Sequence, residues 1–182
     1  MNENSLKIAF HKLLIPELFG KINNQTAILE ENEPDAKLKI VNIDEVPNDS
    51  ILIKIDYGQA YNNIFRNQKG ELKRCDYILV ANLNENKKVL LFIEMKSQYI
   101  DGNELIQKFH ASECLFDYIV STLKHFHDQN INCDEYKKRF ILFQKKRIDK
   151  KGTRPSKVGF APENYLSINF NSAVPPTLKS LS

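Results

Sequence analysis

Two apolar runs joined by a short polar link constrain this chain more than any other feature. They are Tyr77-Ile-Leu-Val-Ala81 and Val89-Leu-Leu-Phe-Ile93, with Leu83-Asn-Glu-Asn-Lys87 in the link between them. Neither run alternates between apolar and polar. A strand that is apolar at every position is buried on both faces, as strands are in the middle of a helix-covered sheet. The link is turn-like, so strands over 72–82 and 88–96 are predicted to pair as an antiparallel hairpin. With 182 residues the chain is long enough for one domain with a sizeable core, spanning 1–182.

The flanking segments complete a mixed α/β pattern. Leu6, Phe10, Leu13 and Leu14 recur at helical spacing, with Ser5 or Asn4 as the expected N-cap. Pro16 should end that helix or open a short second one. Residues 23–35 read as a looser polar stretch, followed by strands over 37–43 and 51–55. After the hairpin, Leu105, Phe109, Phe116, Ile119, Val120, Leu123 and Phe126 form one stripe of a long helix. Asp101-Gly102-Asn103 supplies its break and cap, and it should end near Gln129-Asn130. Strands are expected at 139–143 and 165–170, and a loose tail over 172–182. The order is helix, strands, hairpin, long helix, strand: a central mixed β-sheet with helices on its faces. The segment between the 88–96 and 139–143 strands is long enough for a parallel crossover.

Several chemistries are disfavoured. Cys75, Cys114 and Cys133 show no CxxC spacing, so reduced and mostly buried thiols are expected rather than disulfides or zinc. The four histidines show no HExxH spacing, and no phosphate-cradling or dinucleotide-binding glycine pattern exists. No run approaches the ~18 apolar residues of a membrane span, and the start lacks signal-peptide character. The expectation is a soluble, cytoplasmic protein. A net charge of +3 permits nucleic-acid binding without demanding it.

Charge gathers at one end of the hairpin. Asp76 lies near the start of the first strand, and Glu94 and Lys96 at the end of the second. Antiparallel pairing sets the start of one strand beside the end of the next. Glu94 and Lys96, two apart, point to one face. Two carboxylates and an ammonium closing an apolar strand need partners or a metal, because unpaired buried charge is costly. Two carboxylates, with a main-chain carbonyl, make a hard oxygen site suited to Mg²⁺ or Mn²⁺. Such an ion activates water and steadies a phosphodiester under attack, and Lys96 would stand beside that water. A plain salt-bridge cluster is the alternative.

Cys75-Asp76, seventeen residues, then Glu94-Met95-Lys96 resembles the signature of the PD-(D/E)XK nuclease superfamily, the restriction-endonuclease-like fold. The resemblance covers roughly residues 50 to 145, with Cys75 where the name-giving proline would stand. It implies a three-layer αβββαβ core and metal-dependent hydrolysis of phosphodiester bonds in DNA. It implies that Asp76 and Glu94 bind the metal, that the backbone carbonyl of Met95 is a further ligand, and that Lys96 serves the attacking water. Members often add a first-helix acid, for which Glu17, Glu30 and Glu31 are candidates, and a glutamine or basic residue on the helix after the motif, for which Gln107 and His110 are. An inactive nuclease-like fold acting as a nucleic-acid- or protein-binding module is the rival reading. With no obvious specificity domain, a homodimer or a partner protein, as in a defence, repair or mobile-element system, is the expected source of specificity.

Lys145 to Lys157 holds seven basic residues against one acidic. Lys145, Lys146, Arg147, Lys150, Lys151 and Arg154 suit a phosphate backbone, and equally a solvated loop.

Overall fold

The computed structural model describes residues 3–56, 64–84, 87–97, 100–129, 131–145, 159–170 and 174–182. In chain order the elements are α1 (Glu3–Leu13), β1 (Lys21–Asn23), β2 (Thr26–Glu30), β3 (Ile40–Ile43), β4 (Ile51–Lys54), β5 (Tyr77–Asn84), β6 (Lys87–Lys96), α2 (Gly102–His127), β7 (Tyr136–Gln144), β8 (Leu166–Asn169) and α3 (Leu178–Leu181). They form an α/β protein with two sheets. A five-stranded mixed sheet runs β4-β5-β6-β7-β8, and a three-stranded antiparallel sheet runs β1-β2-β3.

The apolar hairpin is the spine of the larger sheet. β5 and β6 pair antiparallel, from Tyr77 opposite Ile93 to Asn84 opposite Lys87, with one irregularity between Asn82 and Asn84. β4 adds antiparallel to β5. β7 runs parallel to β6, as the long helical crossover requires, and β8 parallel to β7.

Side-chain alternation then separates two cores. Ile51 and Ile53, Ile78 and Val80, and Leu90 and Phe92 pack with α1 and α2 on one face. Leu52, Tyr77, Leu79, Val89, Leu91 and Ile93 pack with the small sheet and α3 on the other. Every position of the two apolar runs is therefore buried, which is why neither alternates.

Some expectations are corrected. The second face is covered by the β1-β2-β3 sheet with only the short α3, not by long helices. The polar stretch 23–35 contains most of a hairpin, which turns at Asn24 and Gln25 with φ of 48° and 60°. Asn4 and Ser5 lie inside α1 and so do not cap it. The tail is not loose where it is described: Thr177 bridges to Asp44, and Leu178 and Leu181 are buried. Phe126, expected on the core stripe, is 80% exposed. The three thiols are free, and only Cys75 is buried.

Other expectations hold. α1 ends at Leu13, and Pro16 opens a 3-10 turn. Asp101 caps α2, accepting from the backbone N–H groups of Asn103 and Glu104 at 2.7 and 3.2 Å. α2 closes at Asp128, whose φ of 53° ends the helical path. No described helix is long and apolar enough to cross a membrane.

Candidate active site

Asp76, Glu94 and Lys96 meet where β5 begins and β6 ends. The Asp76 backbone joins three strands. Its N–H donates to the Ile93 carbonyl, and its carbonyl accepts from the Ile55 N–H, both at 3.0 Å. The local alternation slips here. Cys75 packs in the same core as Ile78, while Tyr77 packs in the other. Tyr77 is the ladder partner of Ile93, yet the Ile93 carbonyl takes the Asp76 N–H. An irregularity of this kind re-aims a side chain, as β-bulges beside functional sites do. The Asp76 carboxylate turns toward β6, where Oδ2 accepts the Met95 N–H at 2.6 Å. Met95 thus enters the site through its backbone N–H, and its side chain lies in the opposite core.

Glu94 is wholly buried. It continues the parity of Leu90 and Phe92 toward α2. Its Oε1 accepts from Lys96 Nζ at 3.0 Å and from Lys108 Nζ at 2.5 Å. Its Oε2 is buried without a hydrogen-bond partner among the described residues. A buried carboxylate oxygen without a protein partner is costly and calls for a water or a cation.

Ser112 fixes Lys108 relative to Asp76. The Ser112 Oγ donates to the Lys108 carbonyl at 2.7 Å and accepts the Cys75 N–H at 2.8 Å. One hydroxyl therefore ties the α2 turn that carries Lys108 to the residue before Asp76.

The charges perturb one another. Burial, then the neighbouring Glu94 charge, pushes the Asp76 carboxyl up to about 8, against the Met95 N–H and the two lysines. Burial pulls the Lys96 ammonium down, but Glu94 and Asp76 outweigh it and its pKa is raised. Asp56, just after β4, is raised chiefly by burial. Lys54 and Lys108 oppose that shift, and Glu31 adds to it.

The remaining candidates separate. Glu31 is the first-helix alternative whose charge reaches Lys96 and Asp56, although it follows β2 rather than lying on a helix. Tyr77 holds it near, since its hydroxyl donates to the Glu30 carbonyl at 2.8 Å and accepts the Glu30 N–H at 2.9 Å. The Glu30 carboxylate pairs with Lys21 at 3.0 Å, and Glu17 is exposed on the 3-10 turn. Gln107 packs over Gly70, where a Cβ would come within 2.8 Å of its Oε1. His110 pairs with Glu163 at 2.8 Å. In the basic run, Lys145 is exposed, while Lys146, Arg147, Lys150, Lys151 and Arg154 lie outside the described residues.

Lys108 and Asp56 were not among the sequence candidates. Lys108 leaves a faint sequence signal, a charge between the buried Leu105 and Ser112 of the α2 stripe. Asp56, following the apolar strand 51–55, is a carboxylate in the same kind of place as Glu94.

Among the described residues no group of three His, Cys, Asp or Glu side chains converges as a ready metal cage. Mg²⁺ does not require one, since it keeps several waters and is commonly held by one or two carboxylates plus substrate oxygens. Two adjacent carboxylates, one with an unsatisfied buried oxygen, fit that donor set. Compared with protein-family models, curated proteins and solved structures, the chain gives no match.

Proposed function

We propose that this chain is a metal-dependent nuclease of the PD-(D/E)XK type that hydrolyses phosphodiester bonds in DNA. The observation that carries this reading is the wholly buried Glu94, whose Oε2 has no hydrogen-bond partner among the described residues, set beside Asp76 and Lys96 where β5 begins and β6 ends. The order α1, the antiparallel β4-β5-β6, α2 and the parallel β7 supports the αβββαβ core that the resemblance implies.

Asp76 and Glu94 would hold Mg²⁺ or Mn²⁺, with the Met95 carbonyl as a further oxygen. When bound, the ion polarises the phosphodiester and lowers the pKa of water. Lys96 contributes a held positive charge. Its raised pKa keeps it protonated at neutral pH, so it orients the attacking water and offsets charge gathering on the phosphorus. The Glu94 carboxylate, 3.0 Å away, holds that ammonium in place. Specificity would come from a second copy or a partner, and the basic run after β7 would track the phosphate backbone.

One observation favours a second reading. Glu94 pairs with both Lys96 and Lys108, as a structural ion-pair cluster in a binding module would. The assay that separates the readings offers plasmid, linear and single-stranded DNA, and RNA, each with Mg²⁺, Mn²⁺ or EDTA. Metal-dependent cleavage is expected. Asp76→Ala and Lys96→Ala should each lose about 10³-fold or more in rate while keeping the wild-type circular dichroism spectrum. Cleavage undiminished in either variant would sink the assignment. In a binding module no cleavage occurs, and Glu94→Ala changes stability without altering nucleic-acid binding.

A further inference from the structure

We propose that Lys108 is the site's resident counter-cation, occupying Glu94 until a divalent ion displaces it. The inference rests on the reading of Asp76 and Glu94 as metal ligands. It gives a stated part to Lys108, a basic residue on the helix after the motif.

Glu94 has no exposure to water, so its charge must be balanced from within the protein. Two ammonium groups share that task on a single oxygen, Oε1, with Lys108 the closer at 2.5 Å and Lys96 at 3.0 Å. The second oxygen has no hydrogen-bond partner among the described residues. Crowding two cations on one oxygen while the other goes unsatisfied is a poor arrangement for a purely structural ion pair. It suits a carboxylate that exchanges one cation for another.

Charge bookkeeping points the same way. Asp76, Glu94, Lys96 and Lys108 sum to zero only once Asp76 is ionised, as a metal ligand must be; while its raised carboxyl holds a proton the cluster carries one net positive charge. A divalent cation entering beside both ammonium groups would leave an excess of two positive charges in a buried setting. One ammonium must withdraw, or an anion must enter with the metal. Lys96 lies on the same strand as Glu94, two residues along, with a side chain 31% exposed. Lys108 reaches Glu94 from α2 on a long side chain that is 16% exposed. Its charge is also felt at Asp76 and at Asp56, an exposed carboxylate just after β4 that lies 4.0 Å from Lys54. A withdrawn Lys108 therefore has Asp56 as an alternative partner, and the phosphate of an incoming strand as another. Ser112 holds the helix turn in place throughout, so only the side chain moves.

The test is Mn²⁺ binding by the full chain, read from the free-ion electron paramagnetic resonance signal and by calorimetry, with no nucleic acid present. Lys108→Met keeps the side chain's length and removes its charge. It should bind Mn²⁺ roughly tenfold or more tightly than wild type. Without metal its melting temperature should fall, and Mn²⁺ should restore it. Lys108→Arg provides a second arm if the methionine variant folds poorly. A guanidinium grips a carboxylate with two bonds, so this variant should bind Mn²⁺ more weakly than wild type. Asp76→Asn is the control for the metal site itself. If wild type binds Mn²⁺, Asp76→Asn does not, and the two Lys108 variants bind as wild type does, the counter-cation role is overturned and the metal site stands. If folded wild type and Lys108→Met both take up no Mn²⁺ at millimolar concentration, the metal reading falls and this inference with it.

Discussion

Asp76 and Glu94 are 18 positions apart in sequence, yet their meeting was legible before any coordinates. It needed only a hairpin and a strand period of two. What the period could not supply is the slip in alternation at Asp76 and Tyr77, because irregular pairing leaves no residue-type signature here. Lys108 was invisible for a different reason. A lysine on a long helix is read as solvated unless its partner is known, and that partner lies 14 residues earlier on another element. The Asp76 environment makes a prediction of its own. Its pKa in the fold is raised by burial to about 8, above the ordinary value of roughly 4 in the unfolded chain. A carboxyl raised in this way favours folding fully below its unfolded pKa and loses that contribution as pH climbs through the folded value. In EDTA, wild-type stability should therefore decline from about pH 4 to about pH 8 through this group. Asp76→Asn, which keeps an acceptor for the Met95 N–H, should melt higher than wild type by roughly 5 °C or more at pH 8.5. The gap should close toward pH 4. Thermal melts across that range check it. Equal melting temperatures at pH 8.5 would mean that the Asp76 charge is not buried at a cost.

At the scale of elements, the strands with strong patterns were found and those with weak local chemistry were not. β5 and β6 declare themselves through uninterrupted apolar runs. The β1–β2 hairpin does not, because its turn is Asn24-Gln25 rather than the Asn-Gly that both positive φ values favour. Phe126 was assigned to the core because it fits the α2 period. The helix, at 26 residues, is ~39 Å long at 1.5 Å per residue, and its last turn carries that ring into solvent. The start of α2 matters more to the candidate site, since it sets the register that brings Lys108 to Glu94. Asp101 holds that start through two hydrogen bonds to free N–H groups. Asp101→Ala should cost about 1 kcal/mol of stability, the usual value of such a cap. Chemical denaturation measures this directly. No change in the midpoint would show that the first turn of α2 is held by packing rather than by its cap.

The whole molecule is two cores back to back on one sheet, and the candidate site belongs to only one of them. Strands apolar at every position demand cover on both faces. The sequence pattern points to helices on both, because the pieces of the actual second cover are short. β1, β3 and α3 are three or four residues each, and only their assembly makes a layer. The end of the chain closes that layer. The Leu178 N–H donates to the Asp44 carbonyl and the Asp44 N–H to the Pro176 carbonyl. Leu178 itself is wholly buried among residues of the second core. Leu178→Ala should thus destabilise the protein by about 2–4 kcal/mol, the range for truncating a buried leucine. A domain of this size would lose roughly 5–15 °C in melting temperature. Glu94 and Lys108 stand on the helix side of the sheet, and their contacts run to β6 and α2 rather than to the small sheet. Below its melting point the Leu178→Ala protein should therefore bind Mn²⁺ as wild type does. A melting temperature within a degree of wild type would refute the docking of the tail. A large loss of Mn²⁺ affinity in the still-folded variant would show that the two cores are coupled through the sheet, so that the second layer is part of what holds the site in shape.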